Sequence, residues 1–332
     1  MQDKHWSEGV ARQAVWLSGK ETYQDVAEIL QEVGQIRISG STVWRITKEW
    51  GQKIKEKEDQ AEAVANATPE RDELISGEAV RSERMGVSMD GAMVYVLEEG
   101  WKELKAGTVF QVEGVRVLDK KTLEEEVVGR AQEVSYVAHL GGPETFGKRL
   151  WTEAKQRGWT QASDTQVVAD GAAWIWNLAI EHFYDSQQVV DWYHAVEHLS
   201  KAAEHLYGIT DNPVKQRWLN EQKEILFQGQ AEWIANQLSQ QAEKDTHEGL
   251  RQEAGYFENH KRRMNYLDLR TEGWLIGSGT VESGAKQYKA RFTGPGMRWK
   301  RSCLERLIPI RSAVMTGNFG RVWKSVYFSP AN

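Results

Sequence analysis

MGVSMDGAMVYVL, residues 85–97, sets the period of the central part of the chain. Its β-branched and aromatic content and partial alternation predict a strand, and GTVFQVEGVRVL (107–118) and AQEVSYVAHLG (131–141) repeat that pattern between glycines. Three successive strands predict an antiparallel meander. PETFGKRLWTEAKQRGW (143–159) then predicts a helix with Pro143 near its start and Gly158 at its end. The short apolar run TQVVAD (165–170) predicts a buried strand, AAWIWNLAIEHF (172–183) a helix, QQVVD (187–191) a second buried strand, and residues 192–207 a further helix.

The order βββαβαβα is the plan of an RNase H-like fold, an α/β architecture in which helices flank a mixed sheet. In that plan a carboxylate on the first strand lies beside one at the end of the fourth. Asp90 and Asp170 hold those positions, each followed by glycine and alanine, in SMDGAM and VADGAA. A small residue next to a ligating carboxylate lets a phosphate approach the backbone, although a single Asp-Gly pair is more often a turn.

Toward the N-terminus, TYQDVAEILQEV (22–33) and STVWRITKEWGQKI (41–54) carry apolar residues at helical spacing, capped by Thr22 and by Ser41 or Thr42 and joined by GQIRISG. The pair reads as a helix-turn-helix, with Arg45, Lys48 and Lys53 available to phosphates or base edges, or equally as a plain helical hairpin. The polar stretch 52–82, with Pro69, predicts a helix running into a linker. Residues 208–275 are polar and helical in pattern, which predicts an inserted helical subdomain, and SGTVESGAKQYKARF (278–292) predicts a helix carrying Glu282. The predicted organisation is therefore an N-terminal helical DNA-binding region and linker (1–80), the first part of the core (81–207), the helical insertion (208–275), and core completion with a basic C-terminal segment (276–332).

Composition narrows the function classes. A chain of 332 residues, 40% hydrophobic and 27% charged, fits a soluble globular protein. The opening MQDKHWSEGVARQ lacks the apolar core of a signal peptide and no window approaches a membrane span, so the expected location is cytoplasmic. One cysteine, Cys303, excludes an internal disulfide and any Cys-rich zinc module. The net charge of −6 hides a local excess of the opposite sign. From Lys286 onward come Lys289, Arg291, Arg298, Lys300, Arg301, Arg306, Arg311, Arg321 and Lys324 against Glu305 alone. Such a run is either a solvated helix face or a surface for a polyanion.

DWYHAVEHL (191–199) contains His194, Glu197 and His198 spaced as H-x-x-E-H. One reading is a zinc peptidase, with both histidines on the metal and Glu197 as general base. The other makes Asp191 a helix N-cap, turns His194 toward the active-site region and lets His198 pack. Fifteen tryptophans beside paired carboxylates would also suit a glycosidase, but Trp174, Trp176, Trp192 and Trp218 fall at helical spacing or beside hydrophobics, which predicts core packing.

Taken together, SMDGA, VVADGAAWIWNLA, VVDWYHAVEHLSKAA, GSGTVESGAKQYKAR and GMRWKRSCLERLIPIRS resemble bacterial insertion-sequence transposases of the DDE type, of the ISKra family, over residues 85–325. The resemblance implies Asp90, Asp170 and Glu282 as catalytic and metal-binding residues. It implies Asp191 and His194 as a supporting motif, and an insertion before the glutamate. Two Mg2+ ions, with Mn2+ as substitute, are the implied cofactor: hard oxygen ligands suit magnesium, and a pair of ions can activate an attacking oxygen and stabilise the leaving one. The implied partners are double-stranded DNA, at transposon terminal repeats and at the target, and a second copy of the chain. Glu282, Lys286 and Lys289 share one helical face, so carboxylate and phosphate contacts can adjoin. Arg291, Arg298, Lys300 and Arg301, with Arg45 and Lys48, complete the expected DNA contacts. A relic that holds DNA without cutting it remains an alternative, as does the zinc reading.

Overall fold

The computed structural model describes residues 6–67, 83–118, 124–210, 212–245 and 247–328. Its centre is a five-stranded mixed sheet flanked by helices. The strands are β1 (Arg84–Val96), β2 (Gly100–Leu118), β3 (Glu125–Leu140), β4 (Asp164–Ala169) and β5 (Gln187–Val190), in the spatial order β3-β2-β1-β4-β5. β1, β2 and β3 pair antiparallel as the predicted meander, whereas β4 and β5 run parallel to β1. β2 begins earlier than its hydrophobic pattern suggests, because the charged stretch WKELKA pairs with Ala92–Tyr95 and the residues around them.

Helix α4 (Pro143–Gln156) connects β3 to β4, α5 (Ala173–His182) connects β4 to β5, and α6 (Trp192–Tyr207) follows β5. Met85, Val87 and Met89 of β1 are buried with Phe146, Leu150, Ile175 and Leu178 on one face. α4 approaches closely because Gly107 lacks a side chain: a Cβ there would lie 2.9 Å from both Leu150 and Phe146. Ala92, Val94 and Val96 belong to the opposite face, covered by α11 (Gly279–Phe292) and α12 (Arg301–Thr316) through Val281, Ala285, Tyr288 and Leu304. The period-2 alternation of β1 is thus used on both sides.

Between α6 and α11 the chain forms four helices, α7 (Pro213–Phe227), α8 (Ala231–Asp245), α9 (Glu248–His260) and α10 (Tyr266–Thr271). Their apolar faces, including Leu226, Ile234, Leu238 and Phe257, join the core on the α4/α5 side. Trp174, Trp176, Trp192 and Trp218 pack in or against that core, as their spacing predicts. Trp192, for example, meets Tyr266 edge-on at 4.9 Å. These rings are therefore not the open sugar platforms a glycosidase would use.

At the N-terminus, α1 (Glu8–Ser18), α2 (Tyr23–Gly34) and α3 (Gly40–Ala67) surround Ala14, Val26, Ala27, Leu30 and Val43. α1 has no counterpart in the periodicity reading, which begins at Thr22. Thr22 caps α2 as expected, accepting from Asp25 N at 3.2 Å. α3 is much longer than its apolar pattern, and its second half packs on the core. A Cβ on Gly51 would come within 2.7 Å of the Arg306 carbonyl on α12. Farther along, the Arg149 guanidinium of α4 takes up Asp59 at 2.5 Å, Glu62 at 3.1 Å and Glu58 at 3.5 Å. Pro69 and the boundary expected near residue 80 lie outside the described residues. The last helix, α13 (Phe319–Tyr327), buries Phe319 and Trp323. Among the described residues no helix is long and apolar enough to cross a membrane.

Candidate metal centre

Strand register builds the site. The parallel pairing of β1 with β4 ends at Met89↔Ala169, and that of β4 with β5 ends at Ala169↔Val190. An aspartate follows each of these residues, Asp90 within β1 and Asp170 and Asp191 just past the ends of β4 and β5, so the three stand in one row across three adjacent segments. Neighbouring strands lie about 4.8 Å apart and in-register side chains point the same way. β1 has its antiparallel partner on one side and β4 on the other, so the row sits at the point where the strand order switches direction, where open α/β sheets form a crevice.

Each member of the row is fixed differently. The Gly91 N–H donates to Asp90 Oδ1 at 2.6 Å, and the Ala172 N–H donates to Asp170 Oδ1 at 2.8 Å. Asp191 is completely buried and caps α6, accepting from His194 N at 2.9 Å through Oδ1. Its Oδ2 accepts from the backbone N–H of Ser278 and from the Ser278 hydroxyl, the latter at 2.8 Å. Ser278 also donates to Glu282 Oε1 at 3.3 Å. Asp191 therefore ties the start of α11 to the β5–α6 junction and brings Glu282 to the row from 91 positions farther along the chain. Carboxylate oxygens of Asp191 and Glu282 and a ring nitrogen of His194 all lie within 4.8 Å of one another, close enough to share a metal ion.

The electrostatics agree with that geometry. Burial raises the Asp90 pKa above the ordinary carboxylate value; the Gly91 hydrogen bond opposes this, Asp170 and Glu282 raise it further, and His194 lowers it. Like charges crowded at a half-buried point favour the protonated form, and a cation reverses that preference. Because a divalent cation requires the ionised carboxylate, its affinity is expected to rise with pH through the raised Asp90 pKa and to fall on the acid side. Mn2+ titrations by calorimetry across that range check this; an affinity independent of pH would exclude Asp90 from cation binding.

Asp90 lies within electrostatic reach of Asp170, His194 and Glu282, but the side chains close enough to share one metal ion are Asp191, His194 and Glu282, a group that includes neither Asp90 nor Asp170. The glycines after the aspartates have a different reason from the one expected. A Cβ on Gly91 would overlap the Glu103 carboxylate of β2, and one on Gly171 would lie 2.5 Å from Tyr256 of α9. The neighbour at Gly91 is the end of the flexible Glu103 side chain, and at Gly171 the Tyr256 ring.

His198 does not join His194. Its Nδ1 lies 2.6 Å from Glu253 Oε2 on α9, and its ring stacks on Tyr256 with centroids 3.4 Å apart. The two-histidine ligand set of the zinc-peptidase reading is consequently not assembled, and among the described residues the one group able to share a metal is Asp191, His194 and Glu282.

The basic residues divide. Lys286 is exposed, 3.8 Å from Glu282, and Lys289, Arg298 and Lys300 are exposed as well. Arg45 and Lys48 are exposed on the first turns of α3, where Lys48 lies over the half-exposed Trp44 ring at 5.4 Å, whereas Lys53 is tied to Glu49 at 2.8 Å. Arg291 is a correction: it is 2% exposed, and its Nε donates to the carbonyl of Ser18 at 2.9 Å, at the end of α1. Helix C-terminal carbonyls lack partners within the helix and favour a cation, which explains its inward course. Arg311 acts likewise on Gly19 at 3.0 Å. Arg301 is also engaged internally, gripping both Glu99 oxygens at 2.7 and 2.6 Å and the Leu140 carbonyl at 3.1 Å. Spacing alone does not single out Ser278, Glu253, Tyr256 or His260, because their roles come from contacts across the chain. No family model matches the chain, and no curated protein matches it.

Proposed function

We propose that the protein is a metal-dependent DNA strand-transfer enzyme of the DDE transposase type, with an RNase H-like core in which residues 208–275 are an insertion. The observation that carries the reading is the row Asp90–Asp170–Asp191 at the switch point of the sheet, met from the opposite side by Glu282. The carboxylates Asp90, Asp170, Asp191 and Glu282 supply hard oxygen donors that suit Mg2+ or Mn2+, with the His194 imidazole beside them. The raised Asp90 pKa is what a site completed by cations would give when considered on its own.

In this reading Asp90, Asp170 and Glu282 would hold the divalent cations, with Asp191 and His194, which lie close enough to Glu282 to share an ion, as supporting groups. Such cations supply Lewis-acid activation of an attacking oxygen and charge neutralisation at the leaving oxygen. The chain's own residues bind and align the duplex. Lys286, one turn beyond Glu282, and Lys289 contact phosphates next to the scissile one, and Arg298 and Lys300 extend that track. Arg45 and Lys48 on α3 engage duplex farther away, at the terminal repeat. A second copy of the chain would hold the other DNA end.

The test is incubation of labelled duplexes, taken from the DNA flanking the coding sequence, with protein and Mg2+, Mn2+, Zn2+ or EDTA. Nicking in Mg2+ or Mn2+ that EDTA abolishes is expected. Salt-sensitive binding without nicking would point instead to a DNA-holding relic, and neither binding nor nicking would remove the proposal.

A further inference from the structure

Two carboxylates compete for one hydroxyl at the start of α11. Ser278 Oγ lies 2.8 Å from Asp191 Oδ2 and 3.3 Å from Glu282 Oε1, yet a serine hydroxyl carries a single proton. It serves one carboxylate at a time, and the other then faces an oxygen lone pair. Asp191 is completely buried, and an ionised carboxylate has about four lone-pair positions. The His194 N–H, the Ser278 N–H and the Ser278 hydroxyl account for three of them. Among the described residues no lysine or arginine forms an ion pair with Asp191, and a buried charge is ordinarily paired or bound to a metal. The cation near Glu282 is Lys286, 3.8 Å away on a side chain 79% exposed, which is too well solvated to neutralise the pair. A ring nitrogen of His194 completes the group: it and one oxygen of each carboxylate lie within 4.8 Å of one another. His194 and Glu282 are both partly exposed, which leaves an entry path and room for water ligands.

We propose that Asp191, His194 and Glu282 form a mixed nitrogen–oxygen site for a divalent transition-metal ion, distinct from any ion held by Asp90 and Asp170. Two carboxylates and an imidazole favour ions such as Mn2+ or Zn2+ over Mg2+ and Ca2+, whose preferred ligands are all oxygen. The ion supplies the positive charge that Asp191 lacks and relieves the competition for the Ser278 proton. It also fastens α11 to the β5–α6 junction. His194 is then a metal ligand in its own right. The proposal shares Glu282 with the strand-transfer reading above, but it requires neither Asp90, Asp170 nor DNA.

The test is pulsed electron paramagnetic resonance of Mn2+ on the full, tag-free chain without DNA, with calorimetry for affinity. Echo modulation from a directly bound ring nitrogen is expected. His194→Ala keeps the backbone N–H that Asp191 accepts; it is expected to abolish the modulation and to weaken binding at this site about a hundredfold, the upper end of what losing a group behind a metal ligand costs, with the metal-free melting temperature nearly unchanged. Asp90→Asn is expected to retain the modulation. Bound Mn2+ without nitrogen modulation, or with modulation that survives His194→Ala, would overturn the site while leaving a carboxylate centre intact. Modulation lost in Asp90→Asn would put His194 and Asp90 on one ion and overturn the distinct site. Absence of Mn2+ binding in the wild-type chain would overturn this site and the metal-dependent reading together.

Discussion

Asp170→Asn is expected to reduce the proposed DNA nicking by about a thousandfold or more while leaving affinity for the same duplex within a factor of a few. The substitution keeps the shape of the side chain and its acceptor for the Ala172 N–H, which lies at 2.8 Å, so the turn after β4 is retained. What it removes is one negative charge from the row Asp90–Asp170–Asp191. Losing even a neutral preorganised donor at a reacting centre costs on the order of 10²–10³ in rate, and loss of a metal-holding charge exceeds that. In the proposed reading duplex affinity comes from other residues, the exposed Lys286, Lys289, Arg298 and Lys300, and removing a charge of the same sign as DNA does not weaken it by electrostatics. Asp90→Asn and Glu282→Gln are expected to behave alike. Quantified nicking of labelled duplex beside filter binding at matched salt provides the check, and a variant that still cuts at the wild-type rate removes its residue from the site.

Arg291→Ala is expected to destabilise the fold by about 2–4 kcal/mol, because it leaves a buried cavity and deprives the end of α1 of a charged donor. The side chain is nearly inaccessible, donates to the Ser18 carbonyl at 2.9 Å, and lies over the rings of Trp299 at 5.2 Å and Tyr23 at 5.8 Å. The loss should appear as a melting temperature lower by roughly 5 °C or more. Lys289→Ala, two positions earlier and exposed, gives the opposite pattern: unchanged melting, weaker duplex binding and a salt slope shallower by about one. Melting curves and salt titrations of the two variants separate a structural arginine from a lysine proposed to contact phosphate. Should Arg291→Ala melt like the wild type and bind DNA poorly, the inward assignment of Arg291 is wrong.

Much of the fold was readable because the features that specify it are local. Strand alternation around Asp90, the short apolar run before Asp170, and the capping position of Asp191 all depend on neighbours a few residues away, and each element appears where its period predicts. The start of β2 was less legible, since charged residues such as those of WKELKA enter a sheet only through their partner strand. α1 was missed altogether. Its buried residues Ala11, Ala14, Val15 and Ser18 include two alanines and a serine, which contribute little to a hydrophobic pattern.

By itself, then, the sequence determined the succession of strands and helices, the candidates Asp90, Asp170 and Glu282, and the cap at Asp191. The tertiary structure alone decided the parallel register of β1, β4 and β5, which places Asp90, Asp170 and Asp191 in one row. It also decided that Ser278 delivers Glu282 to that row, that Arg291 turns inward while Lys289 does not, and that His198 belongs to Glu253 and Tyr256 instead of to a metal shared with His194. The reason is physical: helical and strand periods are set by the backbone of a single segment, whereas register, burial of a charge and the partner of a histidine are set by which distant segments pack together.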